Sequence, residues 1–556
     1  MITKISIDNF KGIGDRIEVP IRPITLLFGP NSAGKSSILH AVQYAREVLE
    51  RRNLDADQTI NGGDFVDLGG FRNFVNGHDP DRNVVLRFDL ALGEDELPGY
   101  RPSGGYLVDF EIRGEEETLP LRELDHELAQ PETGWVEVTI SWSHQLSWPY
   151  VAAYTVGAQG KQVASIRFRP GRPEADLTEI DLGHEVFFVT TSIAGVNLAE
   201  AAYARSGSQA PLAADDRTTI PLRGLSDALP RWGEPLDMPS LFPEGPVEED
   251  EGDDRIAAAI TLTEAISRVV VGMGEVLLKH LRQFRYLGPL RQIPSREHRP
   301  PRHYDESRWA GGLAAWDELM TAEPELAEAV SDWLWRRDRL DTHYQLRRIE
   351  YKEIEDWLQE QMLRVDYAEI EDRLHRDFRV RHVEDYHDQA SLLSEELQKL
   401  EVRRRIRVRD VDKDVDLDPQ DVGVGLAQVI PVITALLSPR TKVVEIEQPD
   451  LHLHPTQEAA LGDLLIHAAL TGPGRILLIE THSEHMILRI QRRMRQTSMG
   501  QASENIEVRP EHVVVLYVEP EAGQTTAFEI AVGEDGEFLQ PWPDSFFDQD
   551  YKERFG

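Results

Sequence analysis

Apolar residues along the chain follow two different periods, and the alternation between them predicts the order of the elements. Three near-continuous apolar runs are typical of central parallel strands covered on both faces: 24–28, 443–447 and 476–480. Shorter alternating runs predict a hairpin within Ile2–Leu27 and a β-rich wing from Val84 to about Phe188. A last pair of strands is predicted at His512–Val518 and Thr525–Val532.

Helical spacing dominates the middle of the chain. Arg255–Phe284 and about Gly312–Leu400 predict a compact helical arm, in which Leu393, Leu397 and Leu400 share one face. The absence of sustained heptads excludes a long coiled coil. Residues 205–254 are irregular, and their acidic end from Val247 to Asp254 predicts a loop or linker.

These patterns predict an α/β head with a β-rich wing, split by a helical insertion. Four segments follow along the chain: 1–200 as the N-terminal half of the head, 201–254 as an acidic linker, 255–408 as the helical insertion, and 409–556 as the C-terminal half of the head.

Composition narrows the class of protein. The chain has 556 residues, of which 40% are hydrophobic and 28% charged, as in ordinary globular proteins. It has no cysteine, which excludes disulfides, thiolate zinc sites and cysteine nucleophiles and favours a cytoplasmic protein. No apolar run is long enough to span a bilayer, and Met1–Ser6 lacks a signal-peptide pattern, so no membrane partner is expected.

The net charge of −38 opposes binding to nucleic acid unless a local basic patch exists. Two arginine clusters are candidates: Arg282, Arg285, Arg291, Arg296, Arg299 and Arg302, and Arg403, Arg404, Arg405, Arg407 and Arg409. Such charge runs more often form a solvated face or an acid-paired interface. The sequence therefore leaves open whether DNA is a partner.

Candidate chemistry begins at Gly29–Ser37, where the sequence fits G-x-x-x-x-G-K-[ST] between a predicted strand and a predicted helix, Ser36–Arg51. Such a loop directs backbone N–H groups and the positive end of a helix at a triphosphate. Lys35 would reach the β- and γ-phosphates, and Ser36 would bind magnesium. The expected nucleotide contacts are Gly29, Asn31, Ser32, Ala33, Gly34, Lys35, Ser36 and Ser37.

Three later stretches carry further chemistry. Asp421–Gln428 places Gly423 and Gly425 at a helix start, where glycines form an anion cradle or a structural turn. Glu447 ends a buried strand, as the magnesium carboxylate of a phosphate-loop site does. His482 follows the next apolar strand and could sense the γ-phosphate; Thr481 or Ser483 could equally cap a helix there.

Two other patterns have alternative interpretations. His452 and His454 could suggest zinc, but their i, i+2 spacing among carboxylates favours a loop at the edge of the nucleotide. The acidic run Asp410–Asp418 could suggest a metal site, but it is better interpreted as a solvated hairpin. Tyr286–Arg291 is expected to be a packed turn, with an interface role as the alternative.

The order of these motifs resembles the ABC-type ATPase heads, and within them the RecF-like and OLD-family branch of AAA-like ATPases. Asn9–Gly12 resembles the opening motif beside the adenine, which would make Phe10 and Lys11 nucleotide contacts. Asp421–Gln428 resembles the signature motif, and Ile446–Pro455 resembles the Walker B motif and D-loop, with His454 in the D-loop. Glu480–His485 resembles the switch, and the ending Pro541–Asp548 resembles the tail of a bacterial subgroup.

The resemblance implies that the predicted α/β fold is an ABC-ATPase-like P-loop head, and that ATP and magnesium are held between two copies of the chain. One copy would supply the phosphate loop, Glu447 and His482, and the other would supply Gly423 and Gly425, with Gln428 in the same signature motif. At least a homodimer is therefore expected.

Two positions depart from the family pattern. Gln448 stands where such ATPases carry a glutamate base, and an amide cannot accept a proton usefully near pH 7, although it can orient water. Ala427 stands where the signature carries a hydroxyl. Slow hydrolysis and a long-lived ATP-bound assembly are expected, with Lys35, Glu447, Gln448 and His482 as the catalytic set.

The leading hypothesis is a cytoplasmic ATPase that switches an assembly in antiphage defence with a separate effector, a nuclease or a toxin. No nuclease of its own is expected. The second hypothesis is a DNA-repair or chromosome-maintenance ATPase that grips duplex DNA, and the third is a scaffold that binds ATP and hardly hydrolyses it.

Overall fold

The structure, a computed structural model, describes residues 1–93, 95–100, 111–113, 118–120, 129–188, 197–206, 219–242, 249–353, 398–472, 474–502 and 506–543. The chain forms two compact units. The first comprises Met1–Arg291, Asp305–Gly312 and Ser438–Gly556, and the second comprises Gln292–Tyr304 and Leu313–Leu437. The sequence of the first unit is thus interrupted by the second.

The strands of the first half of the chain are β1 (Ile2–Asp8), β2 (Ile17–Pro20), β3 (Ile24–Phe28), β4 (Val84–Ala91), β5 (Glu111–Arg113), β6 (Thr118–Pro120), β7 (Thr133–Ser143), β8 (Trp148–Ala158), β9 (Lys161–Arg167), β10 (Ala175–Thr178) and β11 (Ile220–Leu222). Those of the second half are β12 (Phe284–Leu287), β13 (Tyr344–Tyr351), β14 (Arg403–Asp410), β15 (Val415–Leu417), β16 (Val443–Glu447), β17 (Ile476–Glu480), β18 (Val513–Glu521) and β19 (Gln524–Glu529).

The α-helices are α1 (Lys35–Arg46), α2 (Phe71–Phe74), α3 (Leu198–Ser206), α4 (Glu249–Leu281), α5 (Leu313–Thr321), α6 (Pro324–Trp335), α7 (Val424–Leu437), α8 (Pro455–Leu470) and α9 (Glu484–Ser498). A π-helical segment, Glu47–Arg51, extends α1. No helix in these described ranges is long and apolar enough to cross a membrane.

A six-stranded sheet in the order β12-β16-β17-β3-β18-β19 forms the centre of the first unit. Its first five strands are parallel and β19 is antiparallel. The buried pattern of β3, β16 and β17 confirms the three predicted central strands. Because parallel strands end at one edge, the residues after β3, β16 and β17 are brought together there.

The β-rich wing is an antiparallel sheet of eight strands in the order β11-β10-β9-β8-β7-β4-β1-β2. It includes the predicted opening hairpin, in which Ile5 pairs with Val19. Together with the six-stranded sheet it confirms the predicted P-loop head with a β-rich wing.

The second unit contains α5, α6, α7 and the antiparallel sheet β13-β14-β15. The predicted helical arm therefore also contains strands, β13 and β14, which pair along their whole length from Tyr344–Asp410 to Tyr351–Arg403. This pairing joins segments more than fifty residues apart, so the local sequence spacing does not reveal it. Leu393 and Leu397 lie outside the described residues.

Two boundaries of the predicted linker also change. Helix α4 begins at Glu249, inside the acidic run predicted to be irregular. Acidic residues at the start of a helix are favoured by its dipole, which explains why this composition does not exclude a helix. Ile220–Leu222 forms β11 and pairs with β10, so the segment 205–254 also contains a strand.

Candidate active site

The phosphate loop connects β3 to α1, and its shape depends on two glycines. Gly29 has φ 145° and Gly34 has φ 102°, both in the region that favours glycine. A Cβ on Gly29 would overlap the carbonyl oxygen of Val518, and a Cβ on Gly34 would overlap the side chain of Thr525. Both glycines are therefore required by the neighbouring hairpin β18–β19, before any ligand is considered.

Lys35 is the first residue of α1 and is almost completely buried. Its ammonium donates hydrogen bonds to the carbonyl oxygens of Gly29 and Pro30, at 3.1 and 2.9 Å. Burial lowers the pKa of Lys35, against the opposing effect of Glu480 and Glu447. The loop residues Asn31 and Ser32 are exposed, whereas Ala33 and Ser37 are buried.

One face of α1 presents three polar side chains to the strands beneath it. Ser36 donates to Glu480 at 2.7 Å, and His40 contacts Glu447 at 3.2 Å. One turn further, the Gln43 amide donates to Glu445, which is fully buried. The i, i+4 spacing of Ser36 and His40 places both at the sheet edge.

Glu447 and Glu480 are side by side, because they are register partners on β16 and β17. Glu447 accepts a hydrogen bond from the Tyr286 hydroxyl at 2.7 Å. Burial alone would raise the pKa of Glu447, but the contacts from His40 and Tyr286, with a smaller one from Ser36, lower it. Glu447 is therefore ionised at neutral pH.

His40 links Glu447 to Lys11. The Lys11 ammonium lies 2.6 Å from Nδ1 of His40, and Nε2 of the same ring faces Glu447. An ammonium can only donate, so Nδ1 accepts and the proton of the neutral ring is on Nε2. Burial lowers the pKa of His40, which keeps the ring neutral.

Glu480 has a different environment. Its side chain is only 6% exposed, and Lys35 is the nearest cation, at 4.0 Å. Burial and then the neighbouring charge of Glu447 raise the pKa of Glu480 to about 7. Burial also raises the pKa of Glu445 well above its usual range.

His482 follows β17 and approaches Lys35. Burial, and then the charge of Lys35, lower the pKa of His482 to about 4, so the ring is neutral at pH 7. Its Nε2 is buried and makes no hydrogen bond to any residue in the described ranges. A buried polar nitrogen without a partner costs free energy, and a phosphate oxygen would relieve that cost.

Hydrogen bonds around the switch fix the ends of β16 and β17. Thr481 donates to Asp450 at 2.6 Å, and Ser483 caps α9 by accepting from the backbone of Met486. The N–H of Gln448 donates to the carbonyl of Glu480 at 2.8 Å. Gln448 has φ 46°, a left-handed conformation at the strand end. The predicted capping role of Ser483 is confirmed.

The turn Tyr286–Arg291 belongs to the site, which its sequence did not indicate. Besides the contact of Tyr286 with Glu447, the guanidinium of Arg291 donates to the carbonyl of Glu447 at 2.6 Å. Arg291 is 4% exposed, and burial lowers its pKa to about 10. The signal available in the sequence was the segment Phe284–Leu287, in which three of the four residues are aromatic or aliphatic, as in a further strand.

Phe10 does not fit the role predicted for it. The ring is fully buried and packs between Tyr44 and Phe74, at centroid distances of 5.8 and 5.4 Å. A large apolar side chain at a strand end gains more from this core than from a surface position. Phe10 is therefore a core residue, and Lys11 is directed to His40.

The signature residues Gly423, Gly425 and Gln428 lie in the second unit, at the start of α7 and in its first turn. Gly423 and Val424 are exposed, whereas Ala427 and Gln428 are buried. A Cβ added to Gly423 would meet no atom within 4 Å.

The two arginine clusters are largely engaged. On β14, Arg405 and Arg407 both pair with Asp418 at 2.8 Å, and Arg404 pairs with Glu350 at 2.9 Å. The other cluster is divided between the units, since Arg282, Arg285 and Arg291 belong to the first unit and Arg296, Arg299 and Arg302 to the second.

The remaining predicted motifs have structural roles. His454 caps α8 and forms a reciprocal pair of hydrogen bonds with Gln457. Asp410–Asp418 forms the hairpin β14–β15, as predicted. In the part of the chain that the structure describes, no group of three or more His, Asp or Glu side chains is arranged to hold a metal ion.

The residues present fit ATP with magnesium. The phosphate loop offers backbone N–H groups and Lys35, and Ser36 offers a hydroxyl beside two carboxylates. Nε2 of His482, whose ring is influenced by the charge of Lys35, is buried and has no hydrogen-bond partner among the described residues. Magnesium commonly takes one or two protein oxygens and completes its shell with phosphate and water, so a larger cluster of protein ligands is not needed.

Two family models match segments of the chain. The model described as "AAA ATPase domain" matches residues 1–61, and the model described as "AAA domain, putative AbiEii toxin, Type IV TA system" matches residues 316–487. The first segment contains the phosphate loop, and the second contains Glu447, Gln448 and His482. The two segments that are similar to AAA-type ATPase models are therefore the ones that contain the phosphate loop and the residues at the ends of β16 and β17. No curated protein matches the chain.

Solved structures of SMC heads are similar over most of the chain, at low identity. The SmcHead bound to the C-winged helix domain of ScpA is 10% identical, with 95% of this chain and 97% of that chain covered and a TM-score of 0.36. The SMC head domain from Thermotoga maritima is 9% identical, with 96% and 99% covered and a TM-score of 0.33. TM-scores this low do not establish a shared fold, so the fold assignment rests on the sheet order and the site.

Proposed function

We propose that this chain binds ATP and magnesium at the edge of its six-stranded sheet and hydrolyses ATP slowly to switch an oligomeric assembly. The observation that carries this proposal is the meeting of a phosphate loop, a strand-end pair of carboxylates and the buried, unpartnered Nε2 of His482. Each of these groups has a use at a triphosphate, and the loop lies in a segment that matches an AAA ATPase domain.

Some of these residues would bind the triphosphate and its magnesium ion, and His482 would sense the γ-phosphate. Lys35 and the N–H groups of the loop would bind the β- and γ-phosphates, and Ser36 with a strand-end carboxylate would hold magnesium. The sequence assigns that carboxylate to Glu447. His482, as a neutral ring, would donate or accept one hydrogen bond at the γ-phosphate and lose it after hydrolysis.

Binding of ATP is tested with Lys35→Ala. The ammonium of Lys35 would make a charge contact with the phosphates that the backbone N–H groups of the loop cannot replace. The variant should therefore lose ATP affinity by about 100-fold, equivalent to about 3 kcal/mol. Affinity is measured with a fluorescent ATP analogue and confirmed by calorimetry. Lys161→Ala, a change of an exposed lysine on β9, is the control and should bind as the wild type does. Equal affinity in wild type and Lys35→Ala would contradict the site.

Slow hydrolysis is attributed to Gln448. The glutamine sits after Glu447 at the strand end, where faster relatives carry a base, and an amide cannot take the proton of the attacking water. Gln448→Glu should therefore raise kcat by about 100-fold, within the usual range for general-base catalysis. Phosphate release is the measurement. An unchanged rate, or wild-type turnover of tens per second, would show that Gln448 is not limiting.

Completion of the site by a second copy is supported by the surface of the signature motif. Gly423 is exposed, and no atom of the described residues would lie within 4 Å of a Cβ there, so no contact within that part of the chain explains a glycine. Close approach of a phosphate or of another chain would explain it. ATP would then act as part of the interface between two copies.

Antiphage defence with a separate nuclease or toxin is the biological role that we favour. The motif order resembles OLD-family ATPases, and one matching family model carries the description of a putative toxin of a Type IV TA system. Cells carrying this gene with its neighbours should resist phage infection in a plaque assay, and Lys35→Ala should abolish the resistance. Resistance that survives Lys35→Ala would contradict a role for ATP in defence.

Duplex DNA binding is the second candidate, from the family resemblance. The arginines that would form its surface mostly pair with carboxylates, which lowers its rank. ATP-stimulated DNA binding that weakens steeply with salt would reverse this order.

A further inference from the structure

We infer that Lys11 and His40 are positioning residues for Glu447, the carboxylate assigned to magnesium, and that they hold one of its oxygens so that the other can meet the ion. This inference rests on the proposed function, since it concerns the magnesium ion bound with ATP. It gives Lys11 a role in metal binding, in place of the nucleotide contact that the family resemblance implies.

Two side chains converge on a single oxygen of Glu447. Its Oε1 atom accepts a hydrogen bond from the Tyr286 hydroxyl at 2.7 Å and lies 3.2 Å from Nε2 of His40. The rings of His40 and Tyr286 also pack edge to face, with centroids 6.2 Å apart. Because both contacts are made to Oε1, they restrict rotation of the carboxylate and leave Oε2 with neither of them.

The position of Glu447 on α1 suits a magnesium ligand. The Ser36 hydroxyl, which bonds to Glu480, also interacts with Glu447. His40 lies one turn of α1 beyond Ser36, so it can hold Glu447 while Ser36 stays beside the same carboxylate. The side chains of His40 and Glu447 are only 14% and 7% exposed, so water competes little for their contact. Glu447 is therefore oriented before any ion binds.

Lys11 fixes the ring of His40. The Lys11 ammonium lies 2.6 Å from Nδ1, and an ammonium can only donate, so the ring proton is on Nε2 and is directed at Glu447. The backbone of Lys11 is also held, because its N–H donates to the carbonyl of Phe74 and its carbonyl accepts from the Asn76 amide at 2.9 Å. The chain thus directs Lys11 at His40 through contacts on both sides of the residue.

The test compares ATP affinity in magnesium and in EDTA, in the full chain, for the wild type, His40→Leu and His40→Gln. The ratio of the two affinities is the gain due to the metal. His40→Leu removes the donor and should reduce this gain by about 10–100-fold, the usual effect of losing a group that orients a metal ligand. His40→Gln keeps an N–H donor for Glu447 and should retain most of the gain. Both variants should bind ATP in EDTA as the wild type does, which shows that they fold.

Lys11→Met separates positioning from a direct nucleotide contact. A positioning role affects only the metal, so the magnesium gain should fall by about tenfold while ATP affinity in EDTA stays at the wild-type value. A direct nucleotide contact predicts instead an equal loss of affinity with and without magnesium, and that result would overturn the inference. Lys35→Ala supplies the reference for a loss of this second kind.

Tyr286→Phe removes the other contact of Oε1 with little change in shape, and the magnesium gain should again fall by about tenfold. Tyr44→Phe is the matched control, because Tyr44 is also a buried tyrosine, and its hydroxyl donates to the carbonyl of Leu54 at 2.8 Å. The control should leave the gain unchanged. Binding of Mn²⁺ to the ATP complex, followed by electron paramagnetic resonance, gives a readout independent of hydrolysis.

The tautomer of His40 provides a spectroscopic signature. Nitrogen-15 spectra of histidine-labelled, nucleotide-free protein should show a neutral His40 ring protonated at Nε2, identified by the signals that His40→Gln removes. These signals should shift in Lys11→Met. A wild-type ring protonated at Nδ1, or signals unaffected by Lys11→Met, would overturn the role of Lys11.

The outcomes also distinguish this inference from the proposed function. A magnesium gain that survives in both His40→Leu and Tyr286→Phe overturns the positioning role and leaves the ATPase proposal standing. Wild-type protein that binds ATP with no gain from magnesium likewise overturns the positioning role alone. Wild-type protein that binds no ATP overturns the proposed function, and the positioning role with it.

Discussion

Glu447 and Glu480 occupy equivalent positions on neighbouring strands, yet their surroundings change their pKa values in opposite directions. Glu447 receives hydrogen bonds from Tyr286 and faces His40, so its pKa is lowered despite burial. Glu480 has fewer compensating partners, and burial with the charge of Glu447 raises its pKa to about 7. Partners one side chain away therefore decide which carboxylate carries charge.

The pH dependence of stability follows from Glu480 and His482. The folded pKa of Glu480, about 7, is above its usual value, so its contribution is present below about pH 4.5 and is lost as pH rises through 7. The folded pKa of His482, about 4, is below its usual value, so its contribution is present above about pH 6.5 and is lost as pH falls towards 4. The two effects oppose each other over the same interval.

We expect the single variants to separate these effects in nucleotide-free protein with EDTA. Between pH 7.5 and pH 5, the melting temperature of Glu480→Gln should fall more than that of the wild type, and that of His482→Gln should fall less. Differential scanning fluorimetry across this interval is the measurement. Identical slopes in all three proteins would mean that neither pKa is displaced as described.

At the residue scale, the sequence predicts the roles of residues that belong to one local motif. It does not predict which residues from distant strands lie next to that motif. Lys35 and Ser36 belong to one loop, so their roles can be read from consecutive letters. His40, Tyr286 and Arg291 act through Glu447, and only the pairing of β12 with β16 and the packing of α1 bring them there. Glu480 was visible as the end of a second apolar run, but its place beside Glu447 depends on strand order.

At the element scale, the hairpin β18–β19 was predicted as a pair of strands, but its role was not. Thr525 donates to the carbonyl of Ala33 at 2.9 Å, and its N–H donates to the carbonyl of Gly12. Its side chain also occupies the space that a Cβ on Gly34 would need. This hairpin therefore holds the phosphate loop against the turn after β1.

Thr525→Val tests that role with little change in shape. The hydroxyl is buried, and its loss leaves the Ala33 carbonyl without this donor, at a cost of about 1 kcal/mol. If this loss destabilises the ATP-binding conformation of the phosphate loop by the same free energy, ATP affinity should fall by about fivefold. Thr526→Val is the control, since its hydroxyl makes only a 3.4 Å contact to Glu519. Equal ATP affinity in both variants would contradict a role of the hairpin in shaping the loop.

The elements that were predicted correctly are those with a strong local period. The buried strands β3, β16 and β17 were found from continuous apolar runs of five residues. The strand β13 was missed because its residues Tyr344–Tyr351 alternate weakly and gain their conformation from pairing with β14. The start of α4 was missed because an acidic run suits both a loop and the first turns of a helix.

At the scale of the whole molecule, the phosphate loop and the signature motif belong to different units. Lys35 belongs to the first unit and Gly423 to the second. If each site uses Lys35 of one copy and Gly423 of another, variants of the two residues should complement each other.

We expect Lys35→Ala and Gly423→Asp each to be inactive alone and to regain activity when mixed. An aspartate at the start of α7 suits the helix dipole, and its Cβ would meet no atom of the described residues within 4 Å, but its charge would repel a triphosphate. A mixed dimer has one site with neither change, so random mixing should restore about a quarter of wild-type ATPase activity. Phosphate release from refolded or exchanged mixtures is the measurement. Absence of any recovery, with dimers present, would contradict a shared site.

The strand order also has a consequence for the synthesis of the protein. Strand β3 carries the phosphate loop near the start of the chain, but both of its neighbours, β17 and β18, come from residues 476–521. At about 5–20 residues per second, a ribosome takes roughly 20–90 seconds to reach them after making β3. During that time β3 has neither partner, and the nascent chain has no completed nucleotide site. A ribosome that stops early therefore releases a product with a full phosphate-loop motif and no ability to fold it.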